Sequence, residues 1–170
     1  GVTGGVMEAA LRTAYFWLTG KEYDKIEFTA VRGFENVREA ALDINGTVIK
    51  VAITSGMKNA EPLLKAIEEG KADYAFIEIM GCPGGCIAGG GQPYVHPMLL
   101  PNEDDDILET FRSKRANVLY EEDRGLPVRQ SHNNKDVQFL YDDFLGKPGS
   151  ELAEELLHTS YVSNREKFPK

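Results

Sequence analysis

Residues 78–93 read Glu78-Ile79-Met80-Gly81-Cys82-Pro83-Gly84-Gly85-Cys86-Ile87-Ala88-Gly89-Gly90-Gly91-Gln92-Pro93. Cys82 and Cys86 are the only two cysteines among the 170 residues. Ahead of them, Asp73–Met80 carries Tyr74, Ala75, Phe76, Ile77 and Ile79 in near-continuous order, which predicts a strand buried on both faces. The cysteine loop then leaves the C-terminal end of a strand, where ligands of open α/β sheets commonly sit.

Working outward, the elements on the N-terminal side alternate between strand and helix. Val6 to Leu18 holds no Gly or Pro, and Val6, Ala9, Ala10, Thr13, Ala14 and Trp17 recur at helical spacing. With Gly20 as a stop, this predicts a helix over about 4–19. Lys25–Val31 reads as a strand. Glu39–Ile44 and Thr47–Ile53 flank Asn45-Gly46, a pair that tolerates positive φ at both centres of a two-residue hairpin turn. Asn59 is the expected cap of a helix that has Pro62 in its first turn, Gly70 beyond its end and Leu63, Leu64 and Ile67 on its apolar face. The fold class that follows is α/β, a mixed sheet flanked by helices, with a helical C-terminal strap.

After Pro93 the composition changes. Pro97, Pro101 and the acidic run 102–106 lead into a helix over about 104–120, whose positive N-terminal end suits acidic residues. Asp123–Lys135 is polar and irregular. Two short helices follow, about 136–145 and 151–159, the second capped by Ser150. The tail lacks a core of its own, so the expected organisation is a lobe over 1–116 and a helical wrap over 117–170. The apolar side chains with which it would wrap another surface include Tyr120, Phe139, Phe144 and Leu157.

The net charge of −8 and pI near 4.9 disfavour nucleic acid or an anionic membrane as partner. They fit a basic electron carrier and equally an ordinary soluble surface. No apolar run reaches the roughly 18 residues of a membrane span, and the first residues are not a signal peptide. Two cysteines make no disulfide framework, which favours a reducing, cytoplasmic setting. The opening Gly1-Val2-Thr3-Gly4-Gly5, without Met, is an odd place for a natural protein to begin.

Cys-x-x-x-Cys alone is weak evidence, since such a pair can pack as small apolar groups or bind zinc with outside help. His96 shows no matched ligand spacing, and a thioredoxin-type pair would need two intervening residues. The glycines add specificity. Pro83-Gly84-Gly85 contributes almost no side chain to a core, but glycine lets backbone N–H groups approach inorganic sulfide, and soft thiolates bind iron. A cubane iron–sulfur cluster takes four thiolates, and this chain offers two.

Met80-Gly81-Cys82-Pro83-Gly84-Gly85-Cys86 with Gly89-Gly90-Gly91-Gln92-Pro93 resembles the last signature of the FeFe (iron-only) hydrogenases. Gly1-Val2-Thr3-Gly4-Gly5-Val6-Met7-Glu8-Ala9-Ala10-Leu11-Arg12 is similar to that family's Gly-Ala-Thr-Gly-Gly-Val-Met-Glu-Ala-Ala-Leu-Arg. Arg115-Ala116, Leu119-Tyr120, Asp123, Pro127, Arg129, Ser131-His132, Leu140-Tyr141, Phe144-Leu145-Gly146, Pro148 and Leu156-Leu157-His158-Thr159 resemble the family's small-subunit segment, a separate chain in some members. The resemblance covers nearly all of the sequence and implies one lobe of the hydrogenase H-domain.

It also implies a site. The family's H-cluster joins a 4Fe–4S cubane through a cysteine sulfur to a diiron unit carrying CO, cyanide and a bridging dithiolate amine. By position, Cys82 resembles a ligand of the cubane, and Cys86 the cysteine that ligates the cubane and bridges to the diiron unit. Met80 resembles a methionine packed against the diiron unit, and Val6 an apolar residue lining the same pocket. Gly4, Gly5, Gly84 and Gly85 fall in the two glycine-rich segments expected to bind the cofactor. Ordinary core packing explains Met80 and Val6 as well, and Glu8 and Arg12, at i and i+4, read as an intrahelical pair.

Several family features are missing. The other two cubane cysteines, the cysteine and glutamates that relay protons, and a cyanide-binding lysine belong to earlier motifs that this sequence lacks. Gly81, Ala88 and Asn133-Asn134-Lys135 also depart from common family residues. The resemblance implies part of an enzyme for reversible H2 oxidation with a ferredoxin-type carrier, completed by an N-terminal remainder or a complementary chain. Alone it is expected to hold no intact H-cluster and to be inactive. The alternative is a non-catalytic, hydrogenase-like iron–sulfur assembly or scaffold protein; Met80, Val6 and the full Pro-Gly-Gly-Cys loop rank the hydrogenase above it. The loop is expected to face the N-terminal end of the first helix, whose positive end would help hold an anionic cluster.

Overall fold

The computed structural model describes residues 1–23, 32, 36–96 and 105–160. The predicted strand over Lys25–Val31 and the acidic run from Asn102 lie outside the described side chains. The chain forms two compact units, Gly1–Gln130 and Ser131–Lys170.

The first unit opens with helix α1 (Gly5–Thr19), followed by strand β1 (Val37–Ile44), β2 (Thr47–Ser55), helix α2 (Met57–Glu68), β3 (Phe76–Met80) and the long helix α3 (Asp105–Gly125). The sheet runs β1-β2-β3. β1 and β2 are antiparallel, with Ile44 opposite Thr47 across Asn45-Gly46. Asn45 has φ 54° and Gly46 φ 84°, the two positive angles that a type I′ hairpin demands. β2 and β3 are parallel, with Ser55 opposite Met80, so a crossover is required and α2 supplies it.

One core cluster joins Met7 and Leu11 of α1 to Leu42, Ile44, Val51 and Ile53 of the hairpin. Residues four apart on a helix share a face, and alternate strand residues share a sheet face, so one apolar stripe meets another. Ala52 and Thr54, without exposed surface, point to the opposite face; α2 buries Ala60 and Leu63. A second, smaller cluster holds Val2, Ile87 and Ala116, with Tyr120 against it. It ties the N-terminal segment, the cysteine loop and α3 together.

Three expectations are corrected. β3 is not buried on both faces: Phe76 and Ile79 are exposed, and only Glu78 is fully buried. Among the described residues β3 pairs with β2 alone, so its apolar run lacks the second neighbour that a central strand would have. α2 begins earlier than expected, with Gly56 (φ 79°) at its N-terminal cap. Asn59 lies inside the helix, and its amide donates to Ser55 O (2.8 Å) instead of capping. α3 runs on to Gly125, five residues past the expected end.

The second unit is built from short turns. Asn134 accepts from the N–H groups of Asp136 and Val137 to start α4 (Lys135–Leu140), which passes into a π-helical turn over Tyr141–Leu145. Ser150 caps α5 (Glu151–Leu157) through the Ala153 N–H, as the sequence predicted. Leu145 and Ala153 are buried, while Phe139, Phe144, Leu156 and Leu157 are exposed.

Candidate cluster site

The cysteine loop leaves β3 at Met80 and folds back against the first residues of the chain. Val2 and Gly85 form an antiparallel bridge. The Cys86 N–H donates to Gly1 O (2.8 Å), and the Thr3 N–H donates to Gly84 O (3.0 Å). Gly85 makes this approach possible. It sits at φ 90°, and a Cβ there would stand 2.7 Å from both Gly1 O and Thr3 N. No side chain larger than hydrogen fits, so this glycine answers both a backbone and a space requirement.

Both cysteines are free thiols with exposed surface. Cys86 begins a single 3-10 turn, Cys86–Ala88. Gly89 leaves room beside the other sulfur: a Cβ added there would lie 3.4 Å from Cys82 Sγ. Met80 is half-buried at the end of β3, and Val6, in the first turn of α1, is 56 % exposed. Gly4, Gly84 and Gly85 are buried and Gly5 half-buried. The two glycine-rich segments are thus brought together, with Val6 on one and Met80 and the thiols on the other.

Helix α3 holds the loop from behind. Arg115 donates from Nη1 to Ile87 O (2.8 Å) and from Nη2 to Pro93 O (2.6 Å). A planar guanidinium with several fixed donors suits such a two-carbonyl bridge.

Sequence reasoning missed Glu78. This buried carboxylate accepts from Gly4 N–H at Oε1 (2.5 Å) and from Met7 N–H at Oε2 (2.6 Å). The first turn of a helix has N–H groups with no partner inside the helix, and these two find theirs on β3. The expectation that this positive end would help hold an anionic cluster is corrected to that extent: the carboxylate takes its charge-matching role at those two donors. The available signal was a lone Glu in an otherwise apolar five-residue strand, since a charge is buried only when it is partnered.

The Glu8–Arg12 pair exists (2.6 Å), but it is part of a larger set. Arg12 also donates to both carboxylate oxygens of Asp123 (3.3 Å each) and to Arg129 O (3.0 Å). Arg129 binds Asp123 at 2.6 Å, and Arg32 binds Glu8 at 2.8 Å. The Arg32 guanidinium lies 4.3 Å from the centre of the Tyr120 ring. Burial would raise the Asp123 carboxyl, but hydrogen bonds from Arg129 and Arg12 outweigh it and hold the group below its ordinary value. Burial is the main cause of a raised Tyr120 phenol. Beside this network opens a cavity of about 400 Å³, lined in part by Gly1, Gly5, Val6, Leu119 and Tyr120. Neither cysteine lines it.

A 4Fe–4S cluster needs soft ligands and close backbone, and the loop provides part of that set. Two free thiols, a glycine cradle at Cys82 Sγ and exposure of both cysteines fit half of a cubane's ligands. Among the described residues, no group of three or more His, Cys, Asp or Glu side chains could hold a metal ion.

Comparison with known proteins agrees with the motifs. Residues 1–90 match the family described as iron only hydrogenase large subunit, C-terminal domain, and residues 108–164 match iron hydrogenase small subunit. The chain is 47 % identical over 165 residues to the NADP-reducing hydrogenase subunit HndD of Solidesulfovibrio fructosivorans, covering 97 % of this chain and 26 % of that protein. It is 41 % identical to iron hydrogenase 1 of Clostridium pasteurianum, covering 95 % and 27 %. Similarity to protein NAR1 of Arabidopsis thaliana is lower, 32 % identity covering 95 % and 32 %. A solved variant of the FeFe hydrogenase HydA1 from Chlamydomonas reinhardtii superposes with a TM-score of 0.69 at 34 % identity, covering 95 % of this chain and 45 % of that one. The chain therefore spans about a quarter of the length of the first two of these hydrogenases and under half of the third. No helix among the described residues is long and apolar enough to cross a membrane.

Proposed function

The chain belongs to the family formed by the C-terminal domain of the iron-only hydrogenase large subunit, and from that premise we propose that it forms one wall of an H-cluster site in an FeFe hydrogenase. Cys82 and Cys86 would hold the cubane, with Cys86 also the bridge to the diiron unit. Met80 and Val6 would supply apolar wall, and Gly84, Gly85, Gly4 and Gly5 would let backbone approach. When bound, the cluster supplies the redox chemistry that interconverts H2 with two protons and two electrons. The chain's own residues bind and orient it. Thiolates suit iron, and a thioether and a branched alkyl group keep water and competing ligands from the metal.

The observation that carries the proposal is the joint between Gly1–Thr3 and Gly84–Cys86. It brings the segment bearing Val6 to the segment bearing both thiols, although some 80 residues of sequence separate them. The two remaining cubane ligands would come from an N-terminal remainder or a complementary chain, and electrons from a ferredoxin-type carrier. The 170 residues alone would then have no H2 activity.

A second reading, a non-catalytic iron–sulfur assembly factor, has the NAR1 similarity in its favour. Higher identity to the two hydrogenases ranks it second. One experiment separates the readings. The chain is joined to a complementary N-terminal part that carries the other cysteine motifs, then reconstituted anaerobically with iron, sulfide and the diiron cofactor. Infrared bands of iron-bound CO and cyanide together with hydrogen evolution are expected. A cubane without those bands would favour the scaffold. Sustained turnover by the 170 residues alone would overturn the requirement for outside ligands.

A further inference from the structure

The geometry points to Glu78 as a positioning residue that sets where the first turn of α1 stands against the thiol loop and contributes negative charge beside it. The inference rests on the reading that Cys82 and Cys86 hold a cluster.

Glu78 is 6 % exposed and lies in β3, two residues before Met80 and four before Cys82. Its two carboxylate oxygens are each committed to a different backbone donor, Gly4 N–H at 2.5 Å and Met7 N–H at 2.6 Å. Those residues bracket Gly5 and Val6. One side chain thus ties the strand that delivers Met80 and the thiols to the turn that delivers Val6. The Val2–Gly85 bridge supplies a second tie on the far side of the same turn. Two ties at different points resist rotation of the turn as well as its withdrawal. Hydrogen bonds to an ionised acceptor are stronger than neutral ones, so this tie is the stiffer of the two.

The charge has its own consequence. An uncompensated helix N-terminus attracts negative charge, and an added electron at a nearby cluster would be favoured by it. Glu78 occupies two of those donors and carries its negative charge on a residue only four positions before Cys82, their Cα atoms at most about 14 Å apart. Net charge and hydrogen bonding around an iron–sulfur cluster set its potential. Glu78 therefore holds the potential low. A neutral amide in its place would keep the shape, lose the charge and offer only one good acceptor.

The test uses Glu78→Gln and Glu78→Asp in the 170-residue chain and in the assembly with the complementary N-terminal part. In the chain alone, hydrogen exchange of the Gly4 and Met7 amides is followed by NMR. Glu78→Gln is expected to speed exchange at one or both by at least tenfold. Glu78→Asp, one methylene shorter, is expected to release at least one. In the assembly, an EPR-monitored redox titration reads the cubane. Glu78→Gln should move its potential to a more positive value, and Glu78→Asp, which keeps the charge, should leave it near the wild type. Unchanged amide protection in either variant would overturn the positioning role. Equal potentials in Glu78→Gln and wild type, with the amides released, would reduce Glu78 to a structural strut and overturn the inference. A wild-type assembly with no cluster would defeat the proposed function instead, and the amide measurement would still decide whether Glu78 sets the turn.

Discussion

Replacing Gly85 by Ala should unfold the joint on which the candidate site depends, and neighbouring glycines allow the cost to be dissected. At Gly85 a side chain meets two obstacles. The backbone sits at φ 90° and ψ −158°, an essentially glycine-only region where a residue with a Cβ is strained by roughly 1–3 kcal/mol. The new Cβ would also lie 2.7 Å from Gly1 O and Thr3 N, both main-chain atoms that cannot swing aside. The segments must separate, which releases the Cys86 N–H to Gly1 O and Thr3 N–H to Gly84 O bonds. At about 0.5–1.5 kcal/mol net for each, the total comes to about 2–6 kcal/mol. Gly91 has φ 87° but open space around it, so Gly91→Ala carries a positive-φ backbone cost of about 1–3 kcal/mol with no clash. Gly90 has neither obstacle, so Gly90→Ala should change stability by less than about 1 kcal/mol. Urea unfolding of the three variants measures the series, and hydrogen exchange at the Thr3 and Cys86 amides locates the damage. If Gly85→Ala cost no more than Gly91→Ala, the close approach of the two segments would not exist in solution.

Further outcomes follow from the same structure. Arg12→Met should cost roughly 1.5–3 kcal/mol in urea unfolding, because it removes charged hydrogen bonds to Glu8 and Asp123 while Arg32 and Arg129 still partner those carboxylates; a loss below about 0.5 kcal/mol would show that Arg12 is dispensable to the network. Asp123 titrates lower in the folded chain than its ordinary value of 3.8, so its contribution is present above about pH 4 and fades as pH falls through the lowered folded value. Asp123→Asn should therefore flatten the acid limb of stability against pH, and an unchanged limb would remove Asp123 as its source. Tyr120 has the opposite sense at high pH: its raised folded value makes stability fall as pH rises above 10.0, a loss that Tyr120→Phe should lessen. In a reconstituted assembly, Cys86→Ser should abolish hydrogen evolution while Met80→Leu only reduces it, since serine oxygen is a hard ligand and leucine keeps the apolar wall; full turnover with Cys86→Ser would refute the bridge.

Much of the fold was legible because its signals are local. Asn45-Gly46 specifies a turn through its own two φ angles, and Ser150 and Gly20 mark element ends within a few residues of themselves. Asn59 does not cap because a glycine three residues earlier takes the position: Gly56 reaches φ 79° at no steric cost and starts the helix first, leaving the Asn59 amide to bond back to Ser55 O. β3 was misread because an apolar run reports what the strand prefers to touch and not whether it is touched. The cysteine loop and its glycines were legible as chemistry. That the loop faces the N-terminal end of α1 was expected from the buried-strand pattern and the glycines on both segments, but its bonds to Gly1–Thr3 were illegible, since no periodicity links positions so far apart. The convergence of Arg12, Asp123, Arg129 and Arg32 was illegible beyond its i,i+4 member for the same reason. Glu78 stood in plain view within the quoted stretch, yet a carboxylate in a strand names no partner until the helix end that it caps is in place.

The grip of α3 on the loop bears on how such a protein can be divided. Arg115, Ala116, Tyr120 and Asp123 all fall within the stretch that matches the hydrogenase small subunit, whereas Val2, Glu8, Arg12 and Ile87 fall within the large-subunit match. The side-chain and carbonyl contacts between these two sets need no peptide bond between residues 90 and 108. A gene split in that interval would turn an internal seam into a boundary between two chains, already furnished with a guanidinium clamp, an ion network and an apolar plug. The same seam joins the smaller piece to the sulfur-bearing loop directly: without Arg115, that loop loses the two carbonyl contacts that the guanidinium makes.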